Sequence, residues 1–114
     1  MRSYKAAEAI EAYKFVKLDS GLKTATAPTD KIIGISDTVR TEADDVVDVF
    51  TIGEIAEIEA GSAFNEGDAL TSDANGKAAI AKANENIGAI ALEKAAAAGE
   101  IVKVRVVINR VITE

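Results

Sequence analysis

The sequence predicts an all-β fold, a single small barrel or sandwich built from two related units of about 54 residues. Three observations predict it. Apolar and charged residues alternate with the two-residue period of a half-buried strand, most clearly where Val102, Val104, Val106 and Ile108 interleave with Lys103 and Arg105. Tight-turn signatures separate such runs, at Asp19-Ser20-Gly21 and at Asp73-Ala74-Asn75-Gly76, where Asn and Gly supply the positive φ of hairpin turns. The chain also overlays itself when shifted by 54 residues. Ala9-Ile10 then falls on Ala63-Phe64, Asp19 on Asp73, Lys23 on Lys77, and Ile33-Gly34 on Ile87-Gly88. One further residue of shift lays Val46-Val47-Asp48-Val49 over Ile101-Val102-Lys103-Val104. Two copies are too few for a repeat array, which leaves a pseudo-symmetric domain.

Each element follows from the same pattern. Lys14 to Leu18 reads as a strand, with Phe15 inward against Lys14 and Lys17, less cleanly than the others. Val47 and Val49 point inward in the first long strand, and Ala56, Ile58 and Ala60 alternate with Glu57 and Glu59 within residues 52–60. At most one short helix is expected, over Leu92 to Ala98, where Leu-Glu-Lys and four alanines run into Gly99. Ser3 to Tyr13 also favours helix on propensity, with Ser3 as a cap. The repeat opposes this, because it lays Glu8–Lys14 over Ser62–Asp68, which contains Gly67. The expected organisation is an N-terminal arm at residues 1–6 and one β domain at 7–114, with unit one at about 7–51 and unit two at about 61–108.

Composition bounds the chemistry. The chain has 114 residues and 48% apolar content, enough for a core, but 22 Ala, 13 Ile and 10 Val stand against 3 Phe, 2 Tyr and no Trp. Absence of Cys excludes disulfides, thiol nucleophiles and zinc–thiolate sites, and absence of His removes the commonest general base and metal ligand. Ser-His-Asp and Cys-His catalysis are thereby excluded, and no enzyme is expected. A net charge of −6 argues against nucleic acid and against an anionic membrane surface as partners. No apolar run approaches the roughly 20 residues of a membrane span, and Glu8 and Glu11 interrupt the place of a secretory signal.

The remaining motifs yield no cofactor or metal site. Glycines stand singly, so no phosphate-binding loop forms. Asp73-Ala74-Asn75-Gly76 opens like a calcium loop, but Lys77 follows and Asn84 stands where the closing Glu belongs, so it reads as a hairpin turn. Glu42, Asp44, Asp45 and Asp48 form an acidic cluster in a polar loop, read as a solvated turn rather than paired acid–base carboxylates. Thr29-Asp30-Lys31 resembles the Asp-Lys of lipoyl domains, with Lys31 as the acylated residue. The Gly-Asp pair that precedes it in that family here follows it, at Gly67-Asp68.

The order of elements resembles a family of bacteriophage capsid decoration proteins, also called cement or head-stabilising proteins. The resemblance lies in Ala-Glu-Ala-Ile-Glu-Ala-Tyr-Lys-Phe-Val-Lys-Leu-Asp (7–19), Ile-Ile-Gly-Ile-Ser (32–36), Gly-Asp-Ala-Leu-Thr-Ser-Asp-Ala-Asn-Gly-Lys-Ala (67–78), Ile-Gly-Ala-Ile-Ala-Leu-Glu (87–93) and Ala-Ala-Ala-Ala-Gly-Glu-Ile-Val-Lys-Val-Arg-Val (95–106). It spans about residues 7–108 and rests on turn and strand signatures. It implies a β-tulip domain, made in the host cytoplasm and carried on the outer surface of the virion. It further implies homotrimers at three-fold and quasi-three-fold positions of the mature shell, with the major capsid protein as partner. In such proteins an N-terminal arm pairs with capsid strands, which makes Met1, Arg2, Ser3, Tyr4 and Lys5 the candidate capsid contacts. Tyr4 reads either as the aromatic anchor or as an ordinary half-exposed ring. Deleting residues 1–6 is then expected to abolish capsid binding and leave the core folded. Two other readings stay open at this point, a structural or adhesive β module and a carrier modified at Lys31.

Overall fold

The computed structural model describes the backbone of residues 1–111 and the side chains of residues 1–107. Ten strands follow one another, with no helix among the described residues: β1 (Arg2–Lys5), β2 (Phe15–Leu18), β3 (Leu22–Thr24), β4 (Ile32–Ser36), β5 (Val46–Phe50), β6 (Ile55–Glu59), β7 (Ala69–Ser72), β8 (Ala78–Ile80), β9 (Asn86–Ala91) and β10 (Ile101–Val111). They form two five-stranded sheets, ordered β1-β5-β4-β2-β3 and β6-β10-β9-β7-β8. The second order is the first with five added to each label, so the repeat in sequence is a repeat in topology.

The equivalence reaches single residues. Ile10 bridges Thr41 as Phe64 bridges Ala95, both antiparallel. Ala6 meets Leu22 as Ala60 meets Ala78, both parallel. Those parallel bridges join the first and third strand of each unit, which are the two edges of its sheet, and so curl each sheet towards a barrel. A β-bulge recurs as well. Ala6 donates its N–H to the Asp45 carbonyl (2.9 Å) and accepts that of Asp44 (2.8 Å); Ala60 does the same with Glu100 and Gly99 (both 2.8 Å). In each bulge the first of the two residues is left-handed, Asp44 at φ 72° and Gly99 at φ 94°. Tyr13, at φ 62°, stands 54 residues before Gly67, at φ 90°. The turn that excludes a helix over Ser3 to Tyr13 therefore holds in both copies.

The core has two parts. Ala6, Ile10, Val16, Leu22, Val47 and Val49 fill the first sheet, with Tyr4 and Ile33 half-buried against them. A larger cluster fills the second sheet around Ile58, Phe64, Leu70, Val102 and Val104, and takes in Phe15, Ile32 and Ile35 from the first unit. Phe15 and Val16 are adjacent and both fully buried. β2 lies between the two units, Phe15 facing the seam and Val16 the first sheet's interior, which explains why its alternation is poor.

The structure departs from the sequence expectation in three places. Residues 92–98 form no helix. Leu92 donates to the Lys103 carbonyl (3.0 Å) and Ala95 exchanges two bonds with Phe64 (3.0 and 3.1 Å), so tertiary pairing overrides alanine's helix propensity. The strand expected within residues 52–60 is shorter, because Thr51-Ile52-Gly53-Glu54 is a turn in which Glu54 N–H bonds the Thr51 carbonyl (3.0 Å) and Gly53 has φ 86°. The segment read as a leading arm forms β1, which pairs with β5 from Arg2↔Val49 to Lys5↔Val46 and is the counterpart of β6. In β10, Val102, Val104 and Val106 face inward, while the side chain of Ile108 lies outside the described residues.

One carboxylate, that of Glu59, locks the seam between the units, and another, that of Asp30, pins a loop of the first. Glu59 accepts hydrogen bonds from Lys14 (2.6 Å) and pairs with Lys77 (3.2 Å), and its N–H bonds the Tyr13 carbonyl (3.0 Å). The Lys14 ammonium, with Lys77 assisting against the cost of burial, holds the Glu59 carboxyl below the ordinary carboxylate range. Asp30 is also lowered. Burial pushes it up, but the N–H groups of Thr26 and Ala27 and the Lys17 ammonium outweigh that. Groups lowered in the folded state stabilise it above their unfolded values, and that contribution is lost as pH falls through the folded ones. Stability is therefore expected to be level near neutral pH and to drop as acid is added below the Glu reference of 4.5. Urea unfolding at stepped pH checks this, and Glu59→Gln, already lacking the carboxylate, is expected to show a shallower acid limb.

Candidate functional site

β1 is an edge strand, and its construction decides what it can present. The Ala6–Asp45 hydrogen bond sets the alternation. It turns the main-chain groups of Tyr4 and Arg2 towards β5 and those of Ser3 and Lys5 away from it. The outer margin of β1 is thus open at the peptide groups of Ser3 and the N–H of Lys5, and beyond them the chain is joined to β3 by the Ala6–Leu22 bridge, where Ala7 donates to the Leu22 carbonyl (2.9 Å).

Side chains follow the two-residue period. Tyr4 lies on the face of Val47 and packs against the first core, so it is an internal brace of β1 and not a free anchor. Ser3 and Lys5 lie on the opposite face. Ser3 donates its hydroxyl to Asp48 (2.7 Å), and Lys5 stands 3.9 Å from the Asp44 carboxylate. Arg2 is exposed and Met1 is about half exposed. The N-terminal ammonium sits 2.6 Å from Glu54, which also accepts the Thr51 N–H (2.7 Å) and hydroxyl (3.0 Å). The ammonium first, then Thr51, hold the Glu54 carboxyl below its usual range. The structure therefore brings four of the five candidates together on β1, with Met1 just before it, but splits the four between its two faces.

The other motifs serve the fold. The Asp73 carboxylate accepts the N–H groups of Asn75 (2.8 Å) and Lys77 (3.0 Å), while Asp73 N–H bonds the Lys77 carbonyl (2.9 Å), which makes the segment a closed hairpin turn. Glu42, Asp44, Asp45 and Asp48 are exposed around the bulge that opens β5. Lys31 is exposed just before β4, and its neighbour Asp30 is engaged by Lys17 and the 26–27 backbone.

Sequence reasoning missed a group of exposed aliphatic side chains, of which Val46, at 68% exposure, is the most open, and a hollow at the mouth of the second sheet between Phe64, Ile80 and Lys94. Val46 carried a signal, since it sits directly beside the acidic cluster. The hollow is formed by residues far apart in the chain and carried none.

Comparison with known proteins agrees with this picture of a compact β module. A solved structure described as "The crystal structure of head fiber gp8.5 N base in bacteriophage phi29" is similar over 93% of this chain and 92% of that one, with a TM-score of 0.70 at 20% identity. At that identity the likeness speaks for the fold. No curated protein matches the sequence. The model of a family described as phage cement protein matches residues 2–106, β1 included, which retires the carrier reading of Lys31. The chain thus belongs to the phage cement proteins, a structural and non-enzymatic family that binds and decorates the capsid of the virion.

Proposed function

We propose that the protein braces the expanded head from outside, seated as homotrimers at three-fold and quasi-three-fold positions, and that β1 is its contact with the major capsid protein. The observation that carries this reading is the open margin of β1 within a chain of the cement family. A capsid strand laid along it would find the outward peptide groups of Ser3 and the outward N–H of Lys5, so main-chain hydrogen bonds give affinity. Arg2, Ser3 and Lys5 then select the partner, Met1 flanks the strand, and Tyr4 holds it at the right depth by staying in the core. Ligands that bind one state of the shell stabilise that state by mass action, and three linked contacts add through effective concentration. A net charge of −6, spread over the face turned to solvent, keeps crowded copies apart.

The contact is testable without removing the strand. Truncation of residues 1–6 would take away Tyr4 and the fully buried Ala6, so loss of binding there would be confounded by loss of structure. Lys5→Pro removes one outward N–H while leaving every β1–β5 hydrogen bond in place, as edge strands permit. It is expected to weaken binding to expanded shells at least tenfold while far-UV circular dichroism is unchanged. Heating stripped expanded shells with wild type is expected to raise their disruption temperature, and Lys5→Pro at equal concentration to raise it less. Full protection by the proline variant would place the contact elsewhere.

A further inference from the structure

The two units repeat each other closely enough that a difference between equivalent sites is informative. In the first unit, the surface over the Ile10–Thr41 bridge is roofed by charge. Arg40 bonds Glu11 (2.7 Å) and pairs with Glu42, and the Glu8 carboxylate accepts the Thr24 N–H (3.3 Å). In the second unit, the equivalents of Glu8, Glu11 and Glu42 are Ser62, Asn65 and Ala96, so all three carboxylates are gone. The cation stays, as Lys94 in place of Arg40, and it is exposed and makes no ion pair among the described residues. Thr24 is replaced by Ile80, whose side chain is 46% exposed. What remains is an open hollow of about 250 Å³, floored by Phe64 and Ala95, rimmed by Ile80 and Lys94. The first unit shows what such a surface is covered with, which is carboxylate set against cation, and the second lacks that cover.

The chain carries a matching projection elsewhere. Val46 is the most exposed large apolar side chain of the described residues, at 68%. Beside it Asp45 makes no side-chain hydrogen bond or ion pair among the described residues, while its neighbours Asp44 and Asp48 face Lys5 and Ser3. We propose that the hollow of the second unit receives Val46 and Asp45 of a neighbouring copy, Val46 against Phe64 and Ile80, Asp45 against Lys94. This rests on the trimer reading above and names its surfaces. Projection and hollow lie on different units, so the contact is heterologous and propagates from copy to copy until the ring closes. Each copy carries −6, so approach is opposed at long range and the local pair sets the register. One such pair at a partly wet rim weakens with salt.

The absence of Cys makes a clean test possible. Ala43 and Ala96 are both exposed, flank the projection and the hollow respectively, and are replaced together in one chain as Ala43→Cys with Ala96→Cys. A short bismaleimide, applied to concentrated protein and to protein on expanded shells, is expected to give covalent trimers, whereas either single variant cannot exceed a dimer. Adding Lys94→Glu is expected to lower trimer yield at least tenfold, and adding Asp45→Lys to that chain to restore it. Val46→Asp is expected to abolish trimers with the fold unchanged. No trimer in either setting, or yield indifferent to the charge swap, overturns the proposal. Shell binding without cross-linking overturns it while leaving the cement reading intact. Cross-linked trimers that ignore shells support it and count against the shell reading.

Discussion

Phe15→Ala is expected to cost about 3–5 kcal/mol, a large share of the ~5–15 kcal/mol that holds a domain of this size together. Phe15 is fully buried at the seam, among Ile32, Ile35 and the second unit's alanines and valines. Its main chain is fixed on both sides, with N–H to the Gly76 carbonyl (2.8 Å) and C=O from the Ala25 N–H (2.9 Å), so the surroundings cannot collapse into the space. With 3 Phe in the chain and a core dominated by Ala, Ile and Val, no other ring takes its place. Urea denaturation followed by circular dichroism measures the loss, and Phe15→Leu is expected to cost less than half as much. A change below about 1 kcal/mol for the alanine variant would mean that the two units do not stabilise each other through this contact.

Gly34→Ala is expected to be comparably damaging, by about 3 kcal/mol, the upper end for overpacking, for the opposite reason. A Cβ there would collide with the Phe50 carbonyl and come within 2.6 Å of Val49 Cγ1, so β4 and β5 could not keep their spacing. A Cβ at its repeat partner Gly88 would come within 2.6 Å of the Phe15 ring and 3.1 Å of Ile32 Cδ1, contacts with side chains rather than backbone. Gly88→Ala is therefore expected to be the milder change, and thermal melts of the two variants side by side test that order. The recurring Ile-Gly pair at 33–34 and 87–88 thus marks the places where each unit's fourth strand is approached most closely.

Much of the fold was legible because hydrophobic spacing and turn chemistry are local. Val47 and Val49, and Val102 and Val104, are inward in equivalent strands, and the overlay of Ala9-Ile10 on Ala63-Phe64 became two equivalent bridges. What was hidden is what depends on partners far along the chain. Arg2–Lys5 has no apolar alternation, since its only inward side chain that is large and apolar is Tyr4, so β1 was invisible as a strand until β5 was placed beside it. Ala95 and its neighbours looked helical because propensity does not see Phe64. The inward turn of Tyr4 and the unroofed hollow beside Lys94 required the three-dimensional register of both copies.

The account stands most directly on co-sedimentation of the purified protein with stripped heads of its phage, expanded and unexpanded in parallel. Saturable binding to expanded heads alone, at a plateau of three copies per three-fold and quasi-three-fold position, is the predicted result. Equal binding to both forms would contradict selective bracing of the expanded shell, and binding to neither would contradict a capsid contact on this domain.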